Sequence, residues 1–167
     1  MKIYFDMDGV IANFNKGVRD LLGMTPRDQG AGFDFRWYNK LYAKMREVDH
    51  YYDKLEPIQE VVELLLELYD KYGDDVQILT AIPKPNRGIV TAADDKVNWT
   101  GRLISPDIKV NIVYRADKVK FCQGKDCILI DDFDKNVNEW EEIGGTGLLY
   151  SKDVNLLRAQ LRQLNIL

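Results

Sequence analysis

Two aspartates one residue apart, Asp6 and Asp8, close the apolar run Ile3-Tyr4-Phe5 and are followed by Gly9 and a second apolar stretch. A second acidic pair, Asp131 and Asp132, closes the apolar run "CILI". Carboxylates this close repel, and burying them without partners is costly, so a cation belongs between them. Oxygen-only ligands favour a hard ion. Mg2+ takes octahedral oxygen coordination at roughly 2.0–2.1 Å and keeps waters and substrate phosphate in its shell. Asp6, Asp8, Asp131 and Asp132 are therefore the expected Mg2+ ligands. Thr80, at the end of "VQILT", offers a hydroxyl and a backbone N–H to phosphate oxygens. A lysine supplies fixed positive charge, with Lys118 first and Lys120 as its rival. With phosphate in place, one carboxylate can attack phosphorus to give an aspartyl-phosphate that water cleaves. A second carboxylate two residues on can handle the proton.

Each piece has a plainer reading. Asp-x-Asp-Gly recurs in ordinary turns. An EF-hand is excluded at Asp6, because Val10 stands where an oxygen ligand is required. "DDFDKNVNEWEE" has Val137 in place of the loop glycine and Ile143 in place of the terminal glutamate. Cys122 and Cys127 are spaced C-x4-C beside a single histidine, which argues for reduced thiols rather than zinc and for a cytoplasmic chain. The net charge of −4 gives no general attraction to a nucleic-acid backbone. No basic-plus-apolar leader precedes Asp6, and no apolar run approaches the roughly 20 residues of a membrane span. The weight lies in the ordered set, each member directly after an expected strand.

Those strands are Lys2–Phe5, "VQILT", "IKVNIVY", "DCILIDD" and "TGLLY". They alternate with helical rhythms. The clearest is "EPIQEVVELLLELYDKYGDD", with Pro57 suited to its first turn, Val61, Leu64, Leu65 and Leu68 on its buried face, and Gly73 at its end. "AADDKVNWTGRLI" places Trp99 on an apolar side, a short basic helical stretch surrounds "DKVKFC", and "KNVNEWEEIGG" and "DVNLLRAQLRQLNI" complete the set. Alternation of this kind predicts an α/β fold with a mostly parallel sheet covered on both faces, in one compact domain of 167 residues. Ligands in such sheets bind beyond the carboxyl ends of the strands, so the acids, Thr80 and the lysine converge on one crevice. The stretch between strands one and two contains a helical rhythm over 14–22, turn residues over 24–32, and an aromatic-dense remainder. It is expected as a small helical cap at 14–54, over a core of 1–13 and 55–167.

"FDMDGVIANF", "ILTAIPKP", a lysine of "RADKVKFC" and "ILIDDFDKN" together resemble the four motifs of the haloacid dehalogenase superfamily. "LEPIQEVVELL", "DKVNW" and "GGTGLLY" make the chain most similar to its 5'(3')-deoxyribonucleotidase group, in the short form of phage and bacterial relatives. The resemblance covers nearly the whole chain and implies a Rossmannoid three-layer sandwich with a cap inserted after the first strand. It implies Asp6 as nucleophile and metal ligand, and Asp8 as general acid/base with its backbone carbonyl on the metal. Thr80 and Lys118 would hold the phosphoryl group, Lys96 would be a further phosphate contact, and Asp131 and Asp132, unranked, would complete the Mg2+ site. Phe14 matches a nucleobase-lining position. Ala81 occupies a phosphate-binding position that is serine in those enzymes. The cap aromatics Phe33, Phe35, Trp37 and Tyr38 match the family only loosely.

The implied activity is a Mg2+-dependent phosphomonoester hydrolase, a 5'-nucleotidase acting on a small-molecule phosphate ester. Alternatives are a phosphatase for a nucleic-acid 3'-phosphate end or a sugar phosphate, and a phospho-accepting receiver domain without turnover. Motif order opposes the receiver, since its acid pair lies on the first strand, whereas here a pair comes last.

Overall fold

The computed structural model describes residues 1–27 and 32–167; the middle of the turn-rich stretch 24–32 lies outside them. The apolar runs form strands β1 (Lys2–Phe5), β2 (Val76–Ala81), β3 (Val110–Val113), β4 (Cys127–Asp131) and β5 (Thr146–Leu149). Their order is β3-β2-β1-β4-β5 and every pair is parallel. Phe5 stands between Ile78 of β2 and Ile130 of β4. The Asp6 N–H extends the ladder by donating to the Ile130 carbonyl at 2.8 Å. The chain crosses from one side of β1 to the other between β3 and β4, so the topological switch point falls at the carboxyl ends of β1 and β4.

Helices α1 (Phe14–Asp20), α2 (Phe35–Met45), α3 (Gln59–Tyr72), α4 (Ala92–Leu103), α5 (Asp134–Glu142) and α6 (Val154–Gln163) complete the fold. Alternate strand residues feed two cores. Ile3, Phe5, Ile78 and Ile130 pack with α3, with Trp99 of α4 and with Leu157 and Leu161 of α6. Tyr4, Leu79 and Leu129 pack on the other face with Trp140 of α5. The sheet is thus flanked by helices on both faces, an α/β fold of Rossmann-like type. The heptad-like spacing of Val61, Leu64, Leu65 and Leu68 buries all four side chains completely. Each such burial contributes about 1.5–3 kcal/mol.

The long helix starts later than its sequence suggests. Pro57 and Ile58 run beside Ala12 instead: the Ile58 N–H donates to the Ile11 carbonyl at 2.7 Å and the Asn13 N–H to the Glu56 carbonyl at 2.8 Å. These bonds keep 56–58 extended, and α3 begins at Gln59. They also fix the path of the chain as it leaves Asp6 and Asp8. Between Asn13 and α3 lie α1, α2 and a 3-10 turn at Tyr52–Lys54. Asn13 and Asp34 cap α1 and α2 by accepting backbone N–H groups of their first turns. Leu41 and Met45, one turn apart, anchor α2 in the larger core. Among the described residues no helix is long and apolar enough to cross a membrane.

Candidate active site

The turn after β1 is built around Gly9. Its φ of +79° lies in the left-handed region, and a Cβ there would collide with the Asp132 carboxylate. Glycine is therefore required on two grounds, and through it the first acidic turn closes against the second acidic pair. One carboxylate oxygen from each of Asp6, Asp131 and Asp132 lies within 4.8 Å of the others. This all-oxygen set suits a hard divalent cation. The Asp8 carboxylate points elsewhere, toward Lys96.

Lys118 sits between the two buried acids. Its ammonium donates to Asp6 Oδ1 at 2.7 Å and to Asp131 Oδ2 at 2.6 Å, with 3% of the side chain exposed. It reaches this point from a 3-10 turn, Arg115–Phe121, that follows β3. Lys120 of the same turn is 72% exposed and pairs with Asp117, so of the two lysines it is Lys118 that bonds the buried acids. Burial opposes the Lys118 charge, but Asp6 and Asp131 more than offset it and hold the ammonium above its usual range. Asp131 also accepts the Phe133 N–H on Oδ1 and the Asn136 amide on Oδ2, both at 2.9 Å. Burial, with the Asp6 charge adding to it, pushes the Asp131 carboxyl up to about 6 against the opposing pull of Lys118.

A second buried lysine organises the other side. Lys96, projecting from α4, has no exposed surface. Its ammonium donates to Asp8 Oδ2 at 2.7 Å and to the Thr80 hydroxyl at 2.8 Å, and lies 4.6 Å from the centre of the Tyr52 ring. Thr80 is fully buried at the end of β2, and Ala81 beyond it lines the cleft. Burial raises the Asp8 carboxyl, and the charges of Asp6 and Asp132 raise it further against Lys96. Asp8 Oδ1 is buried with no hydrogen-bond partner among the described residues. A partnerless acceptor of this kind costs about 1–3 kcal/mol and is a place where a reacting group can bind.

A cleft of about 790 Å³ opens over this floor, lined by Asp8, Phe14, Tyr38, Tyr42, Arg87 and Phe133 among others. Phe14 begins α1 and meets Tyr51 edge-on at 6.0 Å. Of the four cap aromatics singled out in the sequence, Phe33, Trp37 and Tyr38 line the cleft, with Phe33 stacked on Tyr38 at 5.1 Å; Phe35 does not line it and is 62% exposed.

Sequence reasoning missed Lys152 and Asn136. Lys152 donates to the Gly9 carbonyl at 2.5 Å and to Asp132 Oδ2 at 2.7 Å, tying the two acidic turns together. The rule that finds the other residues, polar groups just past strand ends, applies equally to "YSKD" after β5. Asn136 lies on the first turn of α5, where an amide faces back to Asp131.

A family model described as "5' nucleotidase, deoxy (Pyrimidine), cytosolic type C protein" matches residues 1–163. Among solved structures, the chain is similar to a hydrolase from Pseudomonas syringae at 18% identity and a TM-score of 0.47, covering 89% of this chain and 82% of that one. No curated protein matches the chain.

Proposed function

Because the chain belongs to the family of cytosolic type C 5'-nucleotidases, phosphatases of the haloacid dehalogenase type, we propose that it hydrolyses nucleoside monophosphates, deoxyribonucleotides among them, through an aspartyl-phosphate at Asp6 and with Mg2+ as cofactor. The observation that carries this reading is the convergence of Asp6, Asp131 and Asp132 on one point, with Lys118 between two of them and Asp8 two residues beyond Asp6. Asp6, Asp131 and Asp132 fit a divalent ion as oxygen ligands, and the Asp8 backbone carbonyl is the fourth protein group assigned to it. When bound, the ion neutralises the carboxylates and the phosphate oxygens.

The side chains then divide the work. Asp6 engages Lys118 through Oδ1, which leaves Oδ2 to attack phosphorus. Lys118 holds Asp6 in register with Asp131 and offers positive charge to the phosphoryl oxygens. Lys96 and Thr80 hold the phosphoryl group from the β2 side, with the Ala81 backbone beside them. Asp8, whose carboxyl burial holds above the ordinary carboxylate range, gives a proton to the leaving oxygen and later takes one from the water that cleaves the aspartyl-phosphate. Lys96 on Oδ2 fixes that carboxyl, and the leaving oxygen supplies the partner that Oδ1 lacks.

Residues 14–54 act as a cap over the core formed by 1–13 and 55–167, and Phe14 with the cap aromatics forms the wall against which the base lies. The π-faces of that wall favour a nucleotide over a sugar phosphate. The cytoplasm is the proposed compartment. A phosphatase screen with Mg2+ over nucleotides, sugar phosphates and phosphorylated oligonucleotides tests the reading. Turnover of nucleoside monophosphates that disappears in EDTA is expected; preference for sugar phosphates, or full activity in EDTA, would sink it.

A further inference from the structure

The cleft wall carries a cation that the phosphoryl chemistry does not use. Arg87 ends the 3-10 turn Pro85–Arg87, on the loop that leaves Thr80 and Ala81, and lines the same cleft as Asp8. Its guanidinium lies 4.8 Å from the centre of the Tyr42 ring and donates through Nη1 to the Asn39 side-chain oxygen at 2.8 Å. Its backbone carbonyl accepts from Arg46 at 2.8 Å. Two other cleft arginines have acids beside them: Arg27 pairs with Asp34 at 2.8 Å and Arg115 with Glu139 at 2.7 Å. Arg87 has no ion pair with a carboxylate among the described residues. In a chain of net charge −4, an arginine in the cleft without an acid is not a by-product of basic composition.

A guanidinium presents five N–H donors in a rigid fork, and the Asn39 bond uses one. The Tyr42 face and Asn39 fix its plane, so the remaining donors are already oriented. That geometry matches the oxygens of a phosphate better than any other common group of a nucleotide. The reacting phosphate is already served by Lys118 and Lys96. A base stacked on the aromatic wall needs a π-face and makes no demand on these donors.

We propose that Arg87 is a specificity-determining residue that binds a second phosphoryl group of the substrate, so that a nucleotide phosphorylated at two sugar positions is preferred over the corresponding monophosphate. This rests on the nucleotidase reading above. In the reaction the P–O ester bond of the phosphate at Asp6 breaks, water supplies the oxygen that replaces it, and the second phosphate leaves unchanged on the nucleoside. The loop from Ala81 to Arg87 contacts both ends of such a substrate, which joins recognition to the reacting group through one short segment.

The test compares initial kcat/KM for thymidine 5'-monophosphate, thymidine 3',5'-bisphosphate and the 5'-phosphorylated dinucleotide pTpT, in wild type, Arg87→Met and Arg87→Lys. Wild type should favour the bisphosphate by about tenfold or more, mainly through KM, a factor above what two reactive phosphates give by statistics. Arg87→Met should collapse that ratio toward one, and Arg87→Lys should keep part of it. The ratio is internal to each variant, so a general loss of activity or stability cancels, and the Arg46 bond to the backbone survives the substitution. An equal preference for pTpT would assign the same subsite to an oligonucleotide end. A wild-type ratio of one, or a ratio unchanged in Arg87→Met, overturns the proposal while leaving the nucleotidase standing. Turnover of p-nitrophenyl phosphate with none of the nucleotides would overturn both.

Discussion

Lys118→Met should turn a stable floor into a repulsive one. The ammonium lies 2.7 Å from Asp6 and 2.6 Å from Asp131, and the two acids expose 10% and 0% of their side chains. Breaking a buried ion pair by removing one partner costs about 3–5 kcal/mol. Here one lysine serves two carboxylates, which argues for more. A ceiling exists, however: burial and the Asp6 charge already push the Asp131 carboxyl up to about 6 against the pull of Lys118, so without that pull it accepts a proton more readily, which limits the repulsion. About 3–5 kcal/mol therefore stands, and at about 2–4 °C per kcal/mol for a chain of this size the melting temperature should fall by roughly 6–20 °C. Thermal denaturation in EDTA at neutral pH measures this directly. Adding Mg2+ should raise the variant more than the wild type, because a divalent ion replaces the missing charge between Asp6 and Asp131. Lowering the pH to 5 should also narrow the gap, as protonation relieves the repulsion. A variant melting within a degree or two of wild type in EDTA, or an equal Mg2+ shift in both, would refute the assignment of Lys118 as the charge that holds the floor together.

Asp8→Asn should lower turnover by about 10²–10⁴, the usual worth of a general acid–base group. The wild-type alkaline limb of kcat/KM, set by the raised Asp8 carboxyl, should vanish in that variant; an identical limb in both proteins would remove Asp8 from proton transfer. Phe14→Ala should raise KM for a nucleotide relative to p-nitrophenyl phosphate by about one to two decades, from roughly 1–3 kcal/mol of base stacking. Parallel loss on both substrates with a lowered melting temperature would make Phe14 a packing partner of Tyr51 instead. His50 bonds the buried Asp95 at 2.7 Å, and that bond raises its imidazole above the ordinary value of about 6.5. A raised histidine contributes stability that is full below its unfolded value and is lost as pH rises through the folded one. The melting gap between wild type and His50→Gln should accordingly be widest in mild acid and shrink toward alkaline pH; a gap that stays constant or widens upward would contradict it.

Much of this was legible in the sequence, for identifiable reasons. The three central strands β1, β2 and β4 are buried on both faces and read as apolar runs, and β1 falls on Lys2–Phe5 as read. Helical periodicity marks the buried face of α3 through four residues at turn spacing. Its start was misplaced because Pro57 satisfies a helix's first turn and an extended bridge equally well, and the bridge to Ala12 is a long-range contact that no local pattern carries. The acids at β1 and β4 are visible because carboxylates contrast with apolar runs. Lys152 and Arg87 lie on loops where a basic residue is unremarkable. Their placement depends on how the loop after β5 meets Gly9 and how the loop after β2 meets α2, which only tertiary structure fixes. The choice between Lys118 and Lys120 was open for the same reason: neighbours on a 3-10 turn differ in direction by about a third of a turn, and one faces the acids while the other faces solvent.

The most direct measurement is capture of the covalent intermediate. Enzyme quenched during turnover of a nucleoside monophosphate, reduced with borohydride and mapped by tandem mass spectrometry should carry homoserine at position 6, the reduction product of an acyl phosphate on Asp6. No such product should form in Asp6→Asn or without substrate. Undiminished turnover with Asp6 unmodified, or the reduced residue at Asp8 or Asp131 instead, would contradict nucleophilic attack by Asp6.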